Sequence, residues 1–166
     1  MAAWDEKLGV WISDFIDESF ELDIPEKKID FKTKVLAPIA LLLPRCTDYP
    51  YKSWKLRCVD EQKAILDIET KRLTSLSFEI GPNYAMLIDR KEPEFSHLVN
   101  KEMPPGLLLI ELKKCGVLVM PKDEDTKYCD MNEKDRYSEE NAILDIATTL
   151  RAFAFRSCKW NKSIDK

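Results

Sequence analysis

The chain has 166 residues, 45% of them apolar and 34% charged, and carries a formal net charge of −4 with a pI near 5.2. That is enough apolar material for one continuous core and too much for a disordered polypeptide. An acidic balance excludes a general electrostatic attraction to nucleic acid. No apolar run approaches the roughly 18 residues of a membrane span, so neither nucleic acid nor membrane is expected as a partner.

The start, Met1-Ala2-Ala3-Trp4-Asp5-Glu6, lacks the basic-then-apolar order of a signal peptide. Five cysteines, Cys46, Cys58, Cys115, Cys129 and Cys158, form no CxxC pair. An odd number at irregular spacing reads as reduced thiols in cytoplasm rather than a disulfide framework.

Short strands dominate the first ninety residues. Phe20, Leu22 and Ile24 alternate with Glu21 and Asp23, and Ile29, Phe31 and Thr33 resume the alternation after Pro25-Glu26-Lys27-Lys28, a hairpin pattern. Ala37 to Leu43 is continuously apolar, as in a strand covered on both faces, with Pro38 placed at a strand start or an edge. Trp54, Leu56 and Cys58 alternate with Lys55 and Arg57. After the polar turn Asp60-Glu61-Gln62-Lys63 come Ala64, Leu66 and Ile68. Leu76, Phe78 and Ile80 follow, and past Gly81-Pro82-Asn83 a last strand runs from Tyr84 to Ile88. Seven or so strands at spacings of roughly 8–12 residues point to an antiparallel β-sandwich or barrel.

Past Asp89 the period changes. A helix is expected over Glu94 to Lys101 behind Pro93, and another over Leu107 to Cys115, closed by Lys113, Lys114 and Gly116. Val117 to Met120 is expected to add a strand. Lys122 to Tyr137 reads as a charged loop. Ser138 then caps a helix with Ile143, Ile146, Ala147, Leu150, Phe153 and Ala154 on one stripe and Arg151, Arg156 and Lys159 toward its end. The expectation is a single α+β domain over residues 1–166, mainly β to residue 90 and mainly helical from 91 to 166.

No constellation amounts to an active site. His97 is the single histidine, with Ser96 beside it and no nucleophile-elbow pattern. Four separated glycines form no phosphate cradle, and Asp123-Glu124-Asp125-Thr126-Lys127-Tyr128 lacks the ligand order of a calcium loop. No catalytic residue, metal or cofactor is therefore assigned. The candidate partner-binding residues are Arg151, Arg156, Lys159, Trp160 and Lys162, a basic segment with an aromatic anchor that suits an acidic partner.

Several segments resemble the axonemal dynein intermediate chain family also called cancer susceptibility candidate 1. They are Pro50-Tyr51-Lys52-Ser53-Trp54-Lys55-Leu56, Leu98-Val99-Asn100-Lys101, Pro105-Gly106-Leu107-Leu108, Cys115-Gly116-Val117, Met120-Pro121, Ala152-Phe153-Ala154-Phe155 and Lys159-Trp160-Asn161. They keep their order over most of the chain. The resemblance implies a carboxy-terminal domain of a longer inner-arm dynein subunit in motile cilia and flagella. It further implies a non-catalytic role in assembly or tethering at the cytoskeleton of the axoneme, with tubulin and other dynein subunits as partners. The alternative from the residues alone is a small ligand- or peptide-binding β-sandwich domain of another pathway.

Overall fold

The computed structural model describes residues 1–17, 19–42, 44–73, 75–129 and 135–158. Its strands and helices make an α+β protein whose residues group into two compact units, Met1–Pro44 and Arg45–Lys166.

The first unit is built on β1 (Ala2–Asp5), which pairs antiparallel with β2 (Val10–Ile12) on one side and β5 (Ile39–Ala40) on the other. The Asp5 carboxylate accepts from the Lys7 and Leu8 amides, and Gly9, at a positive φ that favours glycine, donates back to the Asp5 carbonyl at 2.8 Å. Trp4 and Trp11, directly opposite in register, meet edge to face at 5.3 Å. The expected hairpin is present as β3 (Glu21–Asp23) and β4 (Lys28–Asp30). Its apolar alternation faces no core, for Leu22 is 55% and Ile24 73% exposed. The expected doubly covered strand over Ala37 to Leu43 is reduced to the two residues of β5. Pro38 precedes this edge strand, as expected, but Ile39, Leu41 and Leu42 are exposed. A strand is covered on both faces only where a layer packs on each, and these side chains stay in solvent instead.

The second unit holds a five-stranded antiparallel sheet in the order β10-β6-β7-β8-β9. These strands are β6 (Ser53–Asp60), β7 (Lys63–Glu69), β8 (Leu76–Ile80), β9 (Ala85–Ile88) and β10 (Phe155–Arg156). Period-two alternation sorts its side chains cleanly. The register aligns Trp54, Ile68 and Leu76 in one row and Leu56, Leu66, Phe78 and Leu87 in the next. The opposite face carries Lys55, Asp67 and Ser77, where the Ser77 hydroxyl donates to Asp67 at 2.6 Å. The β8–β9 turn is closed by the Gly81 amide donating to the Tyr84 carbonyl, and a Cβ on Gly81 would run into the Tyr84 ring.

Helix α1 (Pro105–Lys114) and the segments on either side of it cover the apolar face. Leu76, Leu87, Leu98, Leu112 and Val117 lose essentially all solvent contact there, with Phe78, Phe95, Leu108 and Val119 around them. α1 ends as its sequence predicts. Gly116 adopts a positive φ and donates to the Lys113 carbonyl, while the Val117 amide reaches the Leu112 carbonyl at 2.9 Å. That is a Schellman closure, and it brings buried Val117 against buried Leu112. Thus helical cover stands where a sandwich would have a second sheet, and the five-stranded sheet is open rather than closed into a barrel.

Three further expectations are corrected. Glu94 to Lys101 is not a helix beyond a 3₁₀ turn at Pro93–Phe95, because the open edge of β9 pairs with the residues beyond that turn. Leu87 bridges Val99 and accepts from the Asn100 amide, and Ala85 bridges Met103. Backbone groups on a buried sheet edge need partners, and that demand overrides weak local helix preference. Val117 to Met120 forms no strand, although Val117 and Val119 are buried. Within the charged stretch, Asp123–Tyr128 is a 3₁₀ helix.

Helix α2 (Arg136–Thr149) starts two residues before the expected cap. Asp135 is the cap, accepting from the Ser138 amide and hydroxyl at 2.8 Å each. The helix stops before Leu150 and buries none of its residues, so the stripe that includes Ile143 covers no core. Arg156 consequently lies on β10 and not on a helix end. The outer edge of β6 draws the chain into strand pairing, with the Ser157 amide donating to the Trp54 carbonyl at 2.9 Å and the Trp54 amide donating to Ser157 Oγ at 3.0 Å.

Candidate docking groove

α1 does not span the whole apolar face of the five-stranded sheet. Beside it lies an open groove of about 320 Å³. Trp54 of β6, Leu66 and Ile68 of β7, Phe78 and Ile80 of β8 and Ala85 of β9 form its floor. Pro105, Leu108 and Leu109 of α1 form one wall, and Tyr51 with Val119 and Met120 forms another. The floor residues share one face because their spacing is two along each strand and the strands are in register.

The groove is dry in character. Its one side-chain polar group that is not an indole N–H, the Tyr51 hydroxyl, donates to the Val119 carbonyl and so ties the two segments of the second wall together. Burial pushes the Tyr51 phenol well above its ordinary range, with Tyr49 adding to the effect, so it stays neutral. Apolar surface continues outward from the rim. Met120 is 66% exposed, and Leu107 and Ile110, three residues apart on α1, are exposed together. Exposed apolar surface near a concave apolar floor makes this a candidate docking site.

The framework around the groove is held by a buried ion pair. Asp48, 1% exposed, accepts from Arg72 Nε at 3.2 Å and Nη2 at 2.8 Å and from the Thr70 hydroxyl at 3.2 Å. Arg72 Nη2 also donates to the Gly116 carbonyl at 3.0 Å, joining the loop before β6, the loop after β7 and the end of α1. A bidentate guanidinium with a third acceptor uses its planar fork in a way lysine could not.

The reactive groups lie elsewhere. Ser96 Oγ donates to the Pro93 carbonyl at 2.8 Å. His97 is exposed, with Nε2 4.0 Å from Cys115 Sγ, and neither Ser96 nor His97 lines the groove. Burial, reinforced by Glu111 and Glu94, pushes the Cys115 thiol up, which opposes the thiolate a nucleophile requires. In the acidic stretch, Asp125 is buried and paired with Arg45 at 2.5 Å, its other oxygen accepting from the Lys122 amide at 2.8 Å. Among the described residues no group of three His, Cys, Asp or Glu could hold a metal ion, and no helix is long and apolar enough to cross a membrane.

Of the basic candidates, Arg151 and Arg156 are both exposed. Arg151 donates to the Glu61 carbonyl at 3.4 Å, and Arg156 sits opposite Lys55 in the sheet register. Lys159, Trp160 and Lys162 lie outside the described residues. Sequence reasoning missed the groove although it read the alternation of its floor, since alternation says which face is apolar and not how far a helix covers it.

No family model matches the chain. Curated relatives do. Dynein axonemal intermediate chain 7 of Bos taurus is 32% identical over 169 residues, 99% of this chain and 23% of the relative. The Homo sapiens protein of that name is 29% identical, over 95% of this chain and 22% of its own length. The Danio rerio protein is 27% identical, over 97% and 22%. Relatives named dynein axonemal intermediate chain 7 therefore match this chain nearly end to end. The chain spans less than a quarter of the length of these relatives. Similarity that runs nearly from end to end takes in both units, the hairpins of the first as well as the groove-bearing sheet of the second.

Proposed function

We propose that this chain is a non-catalytic structural and interaction domain of an axonemal dynein subunit, working at the cytoskeleton of the cilium axoneme. The observation that carries the reading is the match over 99% of the chain to a dynein axonemal intermediate chain. The groove agrees with an interaction role, offering a concave apolar surface bordered by the exposed Met120. The finer reading is a carboxy-terminal part of an inner-arm subunit of motile cilia and flagella, contributing to assembly or microtubule tethering. Another dynein subunit inserts apolar side chains between α1 and Met120. The cations Arg151 and Arg156, with Lys159, Trp160 and Lys162, face the acidic surface of tubulin.

Pull-down of axonemal dynein subunits, run alongside microtubule co-sedimentation, tests both surfaces. Met120→Glu is expected to lower subunit capture about tenfold or more, since a charge would be buried against apolar partner surface. The double variant Arg151→Glu with Arg156→Glu is expected to weaken microtubule binding in a salt-sensitive manner. Equal capture by parent and Met120→Glu would remove the groove from the reading. Binding to no ciliary component at all would end it.

One observation favours a second reading, a small ligand- or peptide-binding β domain. A volume of about 320 Å³ falls at the lower end of small-molecule pockets. An apolar molecule retained by the purified chain in native mass spectrometry, and lost on Phe78→Trp filling of the floor, would select that reading.

A further inference from the structure

Of the five cysteines, Cys58 donates to the Asp60 carbonyl and Cys115 lies against the Glu94 carbonyl and His97. Cys46 is placed differently. Its thiol is buried, and the thiol of Cys129, partly exposed and from a distant part of the chain, is among the neighbours that raise its pKa. The juxtaposition does not depend on the sulfurs alone. Arg45 pairs with Asp125 at 2.5 Å and lies 5.3 Å over the Tyr128 ring. Cys46 Sγ is 4.0 Å from the Asp125 carbonyl oxygen, and the Lys122 amide holds the Asp125 carboxylate. The Arg45–Cys46 dipeptide is thus clamped against the 3₁₀ helix that ends just before Cys129.

We propose that Cys46 and Cys129 form a reversible disulfide on oxidation by a hydroperoxide, a covalent bridge between the two segments that carry Tyr51 and Met120. Those segments make the second wall of the groove, where the Tyr51 hydroxyl already bonds the Val119 carbonyl. Any effect on partner capture rests on the docking role proposed for the groove; the bridge itself does not.

The chemistry divides between the two thiols by access. Cys129 reaches solvent and attacks the distal peroxide oxygen as thiolate, giving a sulfenic acid and releasing the alcohol or, from hydrogen peroxide, water. Cys46 then loses its proton, its sulfur attacks the sulfenic sulfur, and hydroxide leaves and takes up that proton as water. Two thiols lose two protons and two electrons, and one peroxide is reduced. Burial and the neighbouring Cys129 hold the Cys46 thiol up at about 11, so Cys46 is not the first to react and closure is slow. Dithiol reduction reverses the bridge, as suits a reducing compartment where disulfides are transient.

The test treats the purified chain with hydrogen peroxide, blocks residual thiols, and maps the peptides by mass. Expected are a dithiothreitol-reversible loss of about 2 Da and a linked peptide pair containing Cys46 and Cys129. Amide exchange should slow across residues 45–51 and 117–129. Cys129→Ser should abolish the link, and Cys58→Ser and Cys115→Ser should retain it. The parent chain alone gives the linked pair, so misfolding of Cys46→Ser leaves the decision intact. Sulfinic acid at Cys129 with no linked pair, or a link joining a different pair, would overturn the proposal. Formation of the bridge without change in subunit capture would keep the disulfide and remove only its bearing on docking.

Discussion

The two units use the same strand pattern and reach opposite degrees of burial. In Met1–Pro44 the alternating residues Phe20, Leu22, Ile24 and Phe31 remain exposed, and among the described residues only Ala2, Ala3 and Ile16 are buried. In Arg45–Lys166 the alternating residues Leu76 and Leu87 are sealed beneath α1 and the segments flanking it, and Phe78 on the groove floor is buried too. Strand pairing is local to a hairpin, whereas burial depends on the cover laid over the sheet. Apolar area removed from water, and not hydrogen bonding between strands, distinguishes the two units.

Core truncation breaks this contrast most directly. Leu87→Ala is expected to cost about 2–5 kcal/mol, while Leu22→Ala should stay within about 0.5 kcal/mol; denaturant unfolding of the two variants measures both. Equal losses would mean that the β3–β4 hairpin is covered after all.

Next in size is the buried Asp48–Arg72 ion pair of the second unit. Asp48→Ala leaves the Arg72 guanidinium without its carboxylate. The expected loss is about 3 kcal/mol, the low end for a broken buried pair, because Arg72 keeps a third of its side chain exposed. Arg72→Lys should recover part of it at most, since a point charge cannot make both bonds to Asp48 and reach Gly116.

A smaller effect belongs to the β8–β9 turn. Gly81→Ala places a methyl against the Tyr84 ring, which must move and loosen the 2.7 Å bond from the Tyr84 hydroxyl to Glu79. The expected effect is a small fall in Tm, because one solvent-accessible hydrogen bond is weakened. Tyr84→Phe should reproduce it in thermal melts.

The smallest effect is a pH dependence. Hydrogen bonds from Tyr84 and Lys63 hold the Glu79 carboxyl below its ordinary 4.5. The stability it contributes is therefore present above that value and lost as pH falls through the depressed folded value. Tyr84 is held above its ordinary 10 mainly by the same hydrogen bond. Its contribution is full below 10 and lost as pH rises through the raised value. Glu79→Gln should flatten both limbs of a Tm-against-pH curve, and an unchanged acid limb would show that this exposed trio does not act as a unit.

How far the sequence can be read differs between elements for physical reasons. The β6–β7–β8–β9 meander follows from alternation and turn residues within a few positions, and α1 from Pro105 and Gly116, whose dihedral preferences act locally. The Glu94 to Lys101 helix does not form because the edge of β9, distant in sequence until the fold exists, takes Val99 to Met103 as its partner. The same logic moved Arg156 from a helix end to a strand. β1 and β2 gave no usable signal, since Ala2, Ala3 and Trp4 carry no alternation of apolar with polar residues.

Residue order by itself determined which faces of the central strands are apolar, where α1 begins and ends, and that no motif for catalysis or phosphate binding is present. Only the tertiary structure decided how much of the apolar face α1 leaves uncovered, which loops Asp48 and Arg72 bind together, and that Arg45 and Cys46 lie against Asp125 and Tyr128. The first set depends on backbone preferences and side-chain periodicity over a few residues. The second depends on contacts between segments far apart in the chain, whose partners become defined when the sheet and its helix have packed.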